Sequence, residues 1–248
     1  MDKVEAIRIA KYLAYHGYGS RRLVEKWVDE GKIMVNGQVI KDKGHKILPG
    51  TDKIKIEGQE IEESPELVYY AVNKPVGVLS TTQDPSGRRV VSDLVDSERR
   101  VYPVGRLDLD SEGLILLTND GPLTHQLTHP KFHIPKKYRV CVQGEVLRWK
   151  LDRLRTGVKL ADGVTKEAEV KIVQPMRNRT WLEFIIREGR HRQIRRMCAA
   201  VKLSVIQLVR VEFGPVKLDK MPVGQWRELR ESEVKALIKS VEEERELK

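Results

Sequence analysis

The sequence predicts an α+β protein with two domains: a small helix–helix–hairpin module over residues 1–62, then a larger domain on a mainly antiparallel sheet over residues 63–248. Three observations carry this. Helical spacing in the first thirty residues runs into an Asn-Gly pair between two β-prone arms. A glutamate-rich stretch then interrupts the apolar pattern at residues 57–66. Beyond it, strand-like runs recur at 67–72, 114–118, 138–143, 181–186 and 205–211, interleaved with helical segments.

In the small module, Ile9, Ala10, Leu13 and Ala14 share one helical face over residues 7–17, with Gly17 as the stop. Ser20 reads as the N-cap of a second helix whose apolar stripe is Leu23, Val24, Trp27 and Val28, ending at Gly31. Asn36-Gly37, between Ile33-Met34-Val35 and Gln38-Val39-Ile40, is a strong short-range hairpin signal, because both residues tolerate the positive φ a tight turn needs. Residues 57–66, with five Glu and one Pro, read as an exposed linker. In the larger domain, a helix is expected from Arg190 or His191 through Val201, and another capped by Ser232 toward Ser240. The final EEERELK is expected to fray.

Composition limits the function. Apolar residues at 40% and charged residues at 33% allow a folded core. The formal charge of +10 points to a polyanion partner. Its distribution sharpens this: residues 131–220 hold 22 Lys and Arg against nine Asp and Glu, whereas residues 1–62 hold 12 against ten. Cys141 and Cys198 have no metal-ligand spacing and read as buried thiols of a reducing compartment. Met1–Glu5 lacks the apolar core of a signal peptide, and no apolar run is long enough to span a bilayer, so the expectation is a soluble cytoplasmic monomer.

Two segments could carry chemistry. In Gly105–Gly121, the acids Asp108, Asp110, Glu112 and Asp120 bracket an apolar strand. A calcium loop fits poorly, since Asn119 stands where a bidentate Glu is required and no helices flank the loop. A glycine-flanked loop that holds a carboxylate at a strand edge fits better, and spacing alone does not choose among the four acids. In Arg187–Met197, five arginines lie within ten residues, with Arg192, Arg195 and Arg196 on one helical face, a pattern for binding phosphate or for holding a carboxylate ionised.

Other residues carry weaker signals. His125, His129 and His133 recur every four residues, but Gln126 replaces the acid of a zinc-protease helix and Pro130 interrupts it, so no metal is expected and the histidines read as surface or RNA-adjacent. Aromatic residues at 6% are too few for a multi-base stacking platform. Tyr138, among Lys136, Lys137 and Arg139, would suit stacking on one base, against the plain reading of a strand-core tyrosine. A metal-dependent nuclease built on the acids at 108–120 is a further alternative, which chelation would test.

Together these motifs resemble the ribosomal small-subunit-type pseudouridine synthases, the RsuA family. The resemblance rests on Tyr102–Gly121, on Asn73–Gly77 with Asp84–Arg88, on Lys137–Val140, and on Glu188–Met197 followed by Leu208–Arg210 and Gly214–Val216. Ser20–Arg22 and Gly31–Gly37 resemble the S-four type of RNA-binding domain. The resemblance implies a pseudouridine synthase domain after residue 62, acting on ribosomal RNA or a ribosomal subunit precursor without cofactor or metal. Asp84–Arg88 favours the large-subunit branch.

The resemblance further implies that Asp108 is the catalytic carboxylate, that Tyr138 stacks on the target base, and that Arg195, or Arg196 in the adjacent register, pairs with Asp108. Arg21, Arg22, Lys26, Lys74, Arg106, Arg190, Arg192 and Arg196 are the expected RNA contacts. Lys202 departs from the family pattern, which has a glycine ending the helix there. The alternative function is a non-catalytic RNA-binding assembly factor using the same basic surfaces.

Overall fold

A computed structural model describes residues 5–61 and 66–246, the side chains through residue 243, and divides the chain into two compact units. The first comprises residues up to 68 with 97–101 and 119–121; the remainder forms the second. The domain boundary read from the sequence, at 62, falls on residues 62–65, outside the described residues.

In the first unit, β1 (Ile7–Arg8) leads into α1 (Ile9–Tyr15) and α2 (Arg21–Asp29). Gly17, at φ +83°, stops α1, and the Ser20 hydroxyl accepts from Leu23 N at 3.1 Å to cap α2. β2 (Ile33–Val35) and β3 (Gln38–Val39) close a two-residue turn with Asn36 at φ +50° and Gly37 at φ +81°, both in the left-handed region that such a hairpin requires. β4 (Lys46–Ile47) pairs with β1, and β5 (Ile54–Ile56) pairs with β2 and with β6 (Gln59–Glu60). Ile9, Leu13, Val24, Val28, Ile33, Ile47 and Ile54 form the core.

Two readings change here. Residues 57–61 are not linker: Glu57 and Gly58 make the turn of the β5–β6 hairpin, both at positive φ, and Ile61 is buried. The glutamates face solvent along a hairpin, which composition alone cannot separate from a loop. Leu23 is exposed, so the buried stripe of α2 narrows to Val24 and Val28, with Trp27 half-buried.

The second unit contains β7 (Tyr69–Lys74), β8 (Tyr102–Pro103), β9 (Glu112–Thr118), α3 (Gly121–Thr128, whose first residue groups with the other unit), β10 (Lys136–Gln143) and α4 (Arg148–Thr156). The small hairpin β11 (Lys159–Leu160) and β12 (Gly163–Val164) follows, then β13 (Glu169–Met176), β14 (Arg179–Ile186), α5 (Gln193–Ala200), β15 (Val205–Phe213), β16 (Val216–Lys217), β17 (Trp226–Glu228) and α6 (Glu231–Glu246). The main sheet runs β13-β14-β10-β15-β9-β7-β17, with β16 on β15 and β8 on β9. Every named pair is antiparallel except β15–β9, which agrees with the predicted α+β class.

All five expected strands of this unit are present, each extended or shifted by two residues. β13 went unread because it is the sheet's outer edge: Ile172, Val173 and Met176 are exposed, Pro175 interrupts the run, and a strand with so little buried surface shows no alternation. α6 starts at Glu231 rather than after Ser232 and continues through Glu246 instead of fraying. Cys141 and Cys198 are free and buried, and burial pushes the Cys198 thiol up to about 12.

Candidate active site

A cleft of about 590 Å³ opens on one face of the main sheet, within the second unit. Asp108, Tyr138, Arg106, Lys136, Arg190, Arg192 and Arg210 all line it. Asp108 belongs to the loop that feeds β9, and the chain holds that loop from two sides.

On one side, the segment after β7 grips the loop's backbone. The Ser80 hydroxyl donates to Leu107 O at 2.8 Å and accepts from Leu107 N at 3.0 Å, so one side chain satisfies both backbone groups of the residue before Asp108. Gly77 N donates to Leu109 O at 2.8 Å. The Lys74 ammonium donates to Ser111 O at 2.8 Å and to Pro75 O at 2.9 Å. Burial pulls the Lys74 pKa down to about 8, against the opposing pull of Asp108, Asp110 and Glu112.

On the other side stand the arginines before and within α5. Arg192 makes a two-pronged pair with Asp110, at 2.8 and 2.7 Å. Arg195 Nη2 donates to Asp110 O at 2.7 Å, and its Nε lies 3.3 Å from Asp110 Oδ2 in an ion pair too poorly aligned for a hydrogen bond. The Arg192 contact, foremost, holds the Asp110 carboxyl below the usual carboxylate range. Asp108 is left half-buried in the cleft wall, its carboxylate uncommitted to any arginine among the described residues.

In the structure Arg195 pairs with Asp110 and not with Asp108, and Arg196 does not pair with Asp108 either. The reason is local: Asp110 presents both a carboxylate and a carbonyl to α5, and a guanidinium takes the site with more acceptors. The expected helical face changes too. Arg192 sits at φ +50° as the residue before α5, so Arg190, His191 and Arg192 lie outside the helix.

The other cluster residues are structural. Arg190 donates to the carbonyls of Asp162, Gly163 and Val164 in the β11–β12 hairpin, at 3.2, 3.2 and 2.6 Å. Arg196 makes a two-pronged pair with Asp162 at 2.9 Å for both bonds. Glu188, almost fully buried, accepts from Lys166 N, Gln193 Nε2 and Arg190 Nε and ties the hairpin to the cleft rim. Arg190, Arg192 and Arg196, expected as RNA contacts, also bond within the protein, while the Arg192 and Arg196 side chains stay partly exposed. Lys74 was expected in the same role, but its side chain is completely enclosed and has no surface for a phosphate.

Arg106 fits its expected role better: it is exposed on the cleft and makes no charge pair among the described residues. Arg21 and Arg22 likewise extend from the surface of the first unit, while Lys26 pairs loosely with Glu30 at 3.5 Å. Tyr138 lies in the cleft wall, mostly buried, between Phe184 on β14 and Arg210 on β15. His129 and His133 line the rim. Among the described residues no His, Cys, Asp or Glu group is arranged to hold a metal ion.

Sequence reasoning missed Ser80, Asp110 and Arg210. Ser80 sits in Leu79-Ser80-Thr81, which has no pattern; Asp110 was visible as one of four acids. Gly113 carries a clearer signal: at φ +104°, an added Cβ would lie 2.7 Å from Arg210 N, so only glycine lets β9 and β15 approach here.

With this geometry in hand, comparison with known proteins is specific. Residues 68–200 match the family model of RNA pseudouridylate synthases, and residues 7–52 match the S4 domain. A ribosomal large subunit pseudouridine synthase B of Bacillus subtilis is 40% identical over 93% of this chain and 95% of its own length. An uncharacterized RNA pseudouridine synthase of Aquifex aeolicus is 38% identical over 95% of both chains. A crystal structure of a pseudouridylate synthase superposes with a TM-score of 0.68 at 29% identity, over 93% of this chain and 99% of that one.

Proposed function

The chain belongs to the RNA pseudouridylate synthase family, with an N-terminal S4 domain, and we propose that it isomerises a specific uridine of large-subunit ribosomal RNA through Asp108. The observation that carries this is the cleft: a carboxylate free of arginine partners among the described residues, on a loop clamped from both sides, with a tyrosine lining the same cleft.

The residues divide the work. A uridine in a folded RNA must leave its stack to reach a carboxylate at this depth. Tyr138 offers the flipped base a ring face, and Arg106 at the rim meets the backbone phosphates. The bond from ribose C1′ to N1 breaks and one from C1′ to C5 forms. The C5 proton is lost and N1 takes one up, so atoms balance, no electrons enter or leave, and the reaction needs no cofactor. Asp108 supplies the carboxylate, with Lys74 and Arg192 as its nearby cations. The S4 domain adds affinity through Arg21, Arg22 and Lys26 on phosphates. The chain acts on this RNA as a monomer in the cytoplasm.

Tritium release from ribosomal RNA labelled at uridine C5 tests this. Release by the wild-type chain that persists in chelator and vanishes in Asp108→Asn, with RNA affinity kept, is the expected result. Tight binding without release from any ribosomal RNA or subunit would point instead to a non-catalytic assembly factor.

A further inference from the structure

Arg210, on the floor of the same cleft, has a hydrogen-bonding capacity left unfilled among the described residues. β9 and β15 pair in parallel at only two positions, Glu112 with Val209 and Gly113 with Arg210. The Arg210 side chain fills the space beside this short pairing, where its Nε donates to Leu114 O at 2.7 Å. Its guanidinium lies 5.1 Å from the centre of the Phe213 ring. The residue is 2% exposed, and its Nη2 is buried with no hydrogen-bond partner. Leaving such a donor unmade costs about 1–3 kcal/mol, more for a charged group. Ser111 Oγ and Arg195 Nε beside the cleft are also buried without a partner, but Arg210 Nη2 is the one that stands next to Tyr138 on the cleft floor, so it points to a ligand group there.

The neighbours say what kind of ligand. Arg210 is the cross-strand partner of Tyr138, so the two side chains stand side by side on the cleft face of the sheet. A base against Tyr138 would bring its edge to Arg210. Lys136, also on the cleft, points its amine at Ile134 O rather than at Arg210, and among the described residues no acid lies within bonding distance of the guanidinium. Arg210, 2% exposed, can be reached only from the cleft it lines, and a phosphodiester flanked by two riboses is too bulky to enter there. The edge of a flat base is the group that reaches this depth.

We propose that Arg210 receives a carbonyl oxygen of the flipped uracil on its unpaired guanidinium edge, and so holds the negative charge of the base while it is detached. This rests on the isomerase reading above. When the N1–C1′ bond breaks, its electron pair stays on N1 and is shared with O2 and O4. The charge is given up when C5 bonds to C1′; the C5 proton then leaves to a base as N1 takes one up. A fixed cation at a carbonyl binds the detached anion more strongly than the neutral base, and therefore lowers the barrier more than it tightens binding.

The test compares the wild-type full-length chain with Arg210→Lys, which can still donate to Leu114 O, on three RNAs carrying uridine, 2-thiouridine or 4-thiouridine at the target position. Sulfur is a weak acceptor, so the thio position that replaces the contacted oxygen should slow wild-type single-turnover conversion by roughly 10-fold. Arg210→Lys should be slower by roughly 10–100-fold on uridine and lose most of that thio penalty, whereas a merely structural arginine would leave the penalty intact. Equal wild-type rates on all three RNAs, or an undiminished penalty in Arg210→Lys, would overturn the assignment. Should Arg210→Lys not fold, the wild-type comparison alone decides. Binding of the same RNAs to Asp108→Asn separates the two readings. A chain that never converts uridine refutes the isomerase, while equal affinity for all three RNAs in both the Asp108→Asn and the Asp108→Asn/Arg210→Lys chains refutes the carbonyl contact.

Discussion

Arg195 is held by Asp110, two residues beyond Asp108: its Nη2 donates to the Asp110 carbonyl at 2.7 Å while Arg192 occupies the Asp110 carboxylate at 2.8 and 2.7 Å. Asp110 is thus the joint between the acid-bearing loop and α5. Arg192 and Arg195, through Asp110, set where the loop that carries Asp108 stands.

Asp110→Asn tests that joint. The Arg192–Asp110 pair is partly exposed on both sides, so it contributes no more than about 1 kcal/mol to stability. Its effect on geometry should be larger, because a displacement of the reacting group by about 1 Å costs roughly 100-fold in rate. The expected outcome is a kcat lowered roughly 10–100-fold with the melting temperature nearly unchanged. A wild-type kcat in this variant would show that the Arg192–Asp110 charge pair is idle in turnover.

Ser80→Ala tests the opposite clamp. The hydroxyl satisfies both backbone groups of Leu107, which is buried, so its loss leaves two unpaired polar groups at a cost of about 1–3 kcal/mol. That strain falls on the residue before Asp108. Single-turnover rate should drop while RNA affinity holds, and Ser80→Thr should recover part of it. A loss of stability with the rate intact would make Ser80 a fold residue only.

How much was legible beforehand follows the physics of each signal. Ser20 and Asn36-Gly37 act through their own backbone geometry, so their roles were readable and the structure bears them out. The central strands were readable because both their faces are covered. β13 and β6 were not, since an edge strand or an exposed hairpin buries too little to leave a pattern. The arginine cluster was read correctly as a hub for anions but not for which anions. Asp110, Asp162 and Glu188 reach it from 28 to 82 residues away or from an adjacent turn, and a single chain read in order does not display such pairings.

Glu233 gives a pH dependence with a definite sign. Both Arg227 nitrogens donate to it at 2.7 Å, and Arg230 adds its backbone N at 2.9 Å, which together hold its pKa down to about 2. A carboxylate depressed in the folded state stabilises the protein above its unfolded pKa, near 4.3, and that stabilisation is lost as pH falls toward 2. Since Arg230 is largely exposed, screening limits the contribution to about 1–2 kcal/mol. In urea melts, wild type should exceed Glu233→Gln by that amount at pH 6–7, and the two should converge near pH 2. A gap that stays constant over this range would assign the difference to packing rather than charge.

Lys202 ends α5 in the left-handed region at φ +57°, with its N–H on Ala199 O at 2.9 Å. The sequence marked this position by its departure from the family's glycine, and the structure shows that the turn forms all the same. A non-glycine residue pays about 1–2 kcal/mol for that conformation, whereas glycine loses about 0.5–1 kcal/mol in unfolded-chain entropy. The difference favours glycine by roughly 0.5–1 kcal/mol. The exposed Lys202 side chain has no partner among the described residues to lose, and the carbonyl that accepts from Lys150 Nζ at 3.1 Å remains in Lys202→Gly. That variant should therefore melt about 1–3 °C higher at unchanged activity. A lower melting temperature would mean that the entropy of the unfolded glycine outweighs the relief, and that this turn carries less strain than its φ implies.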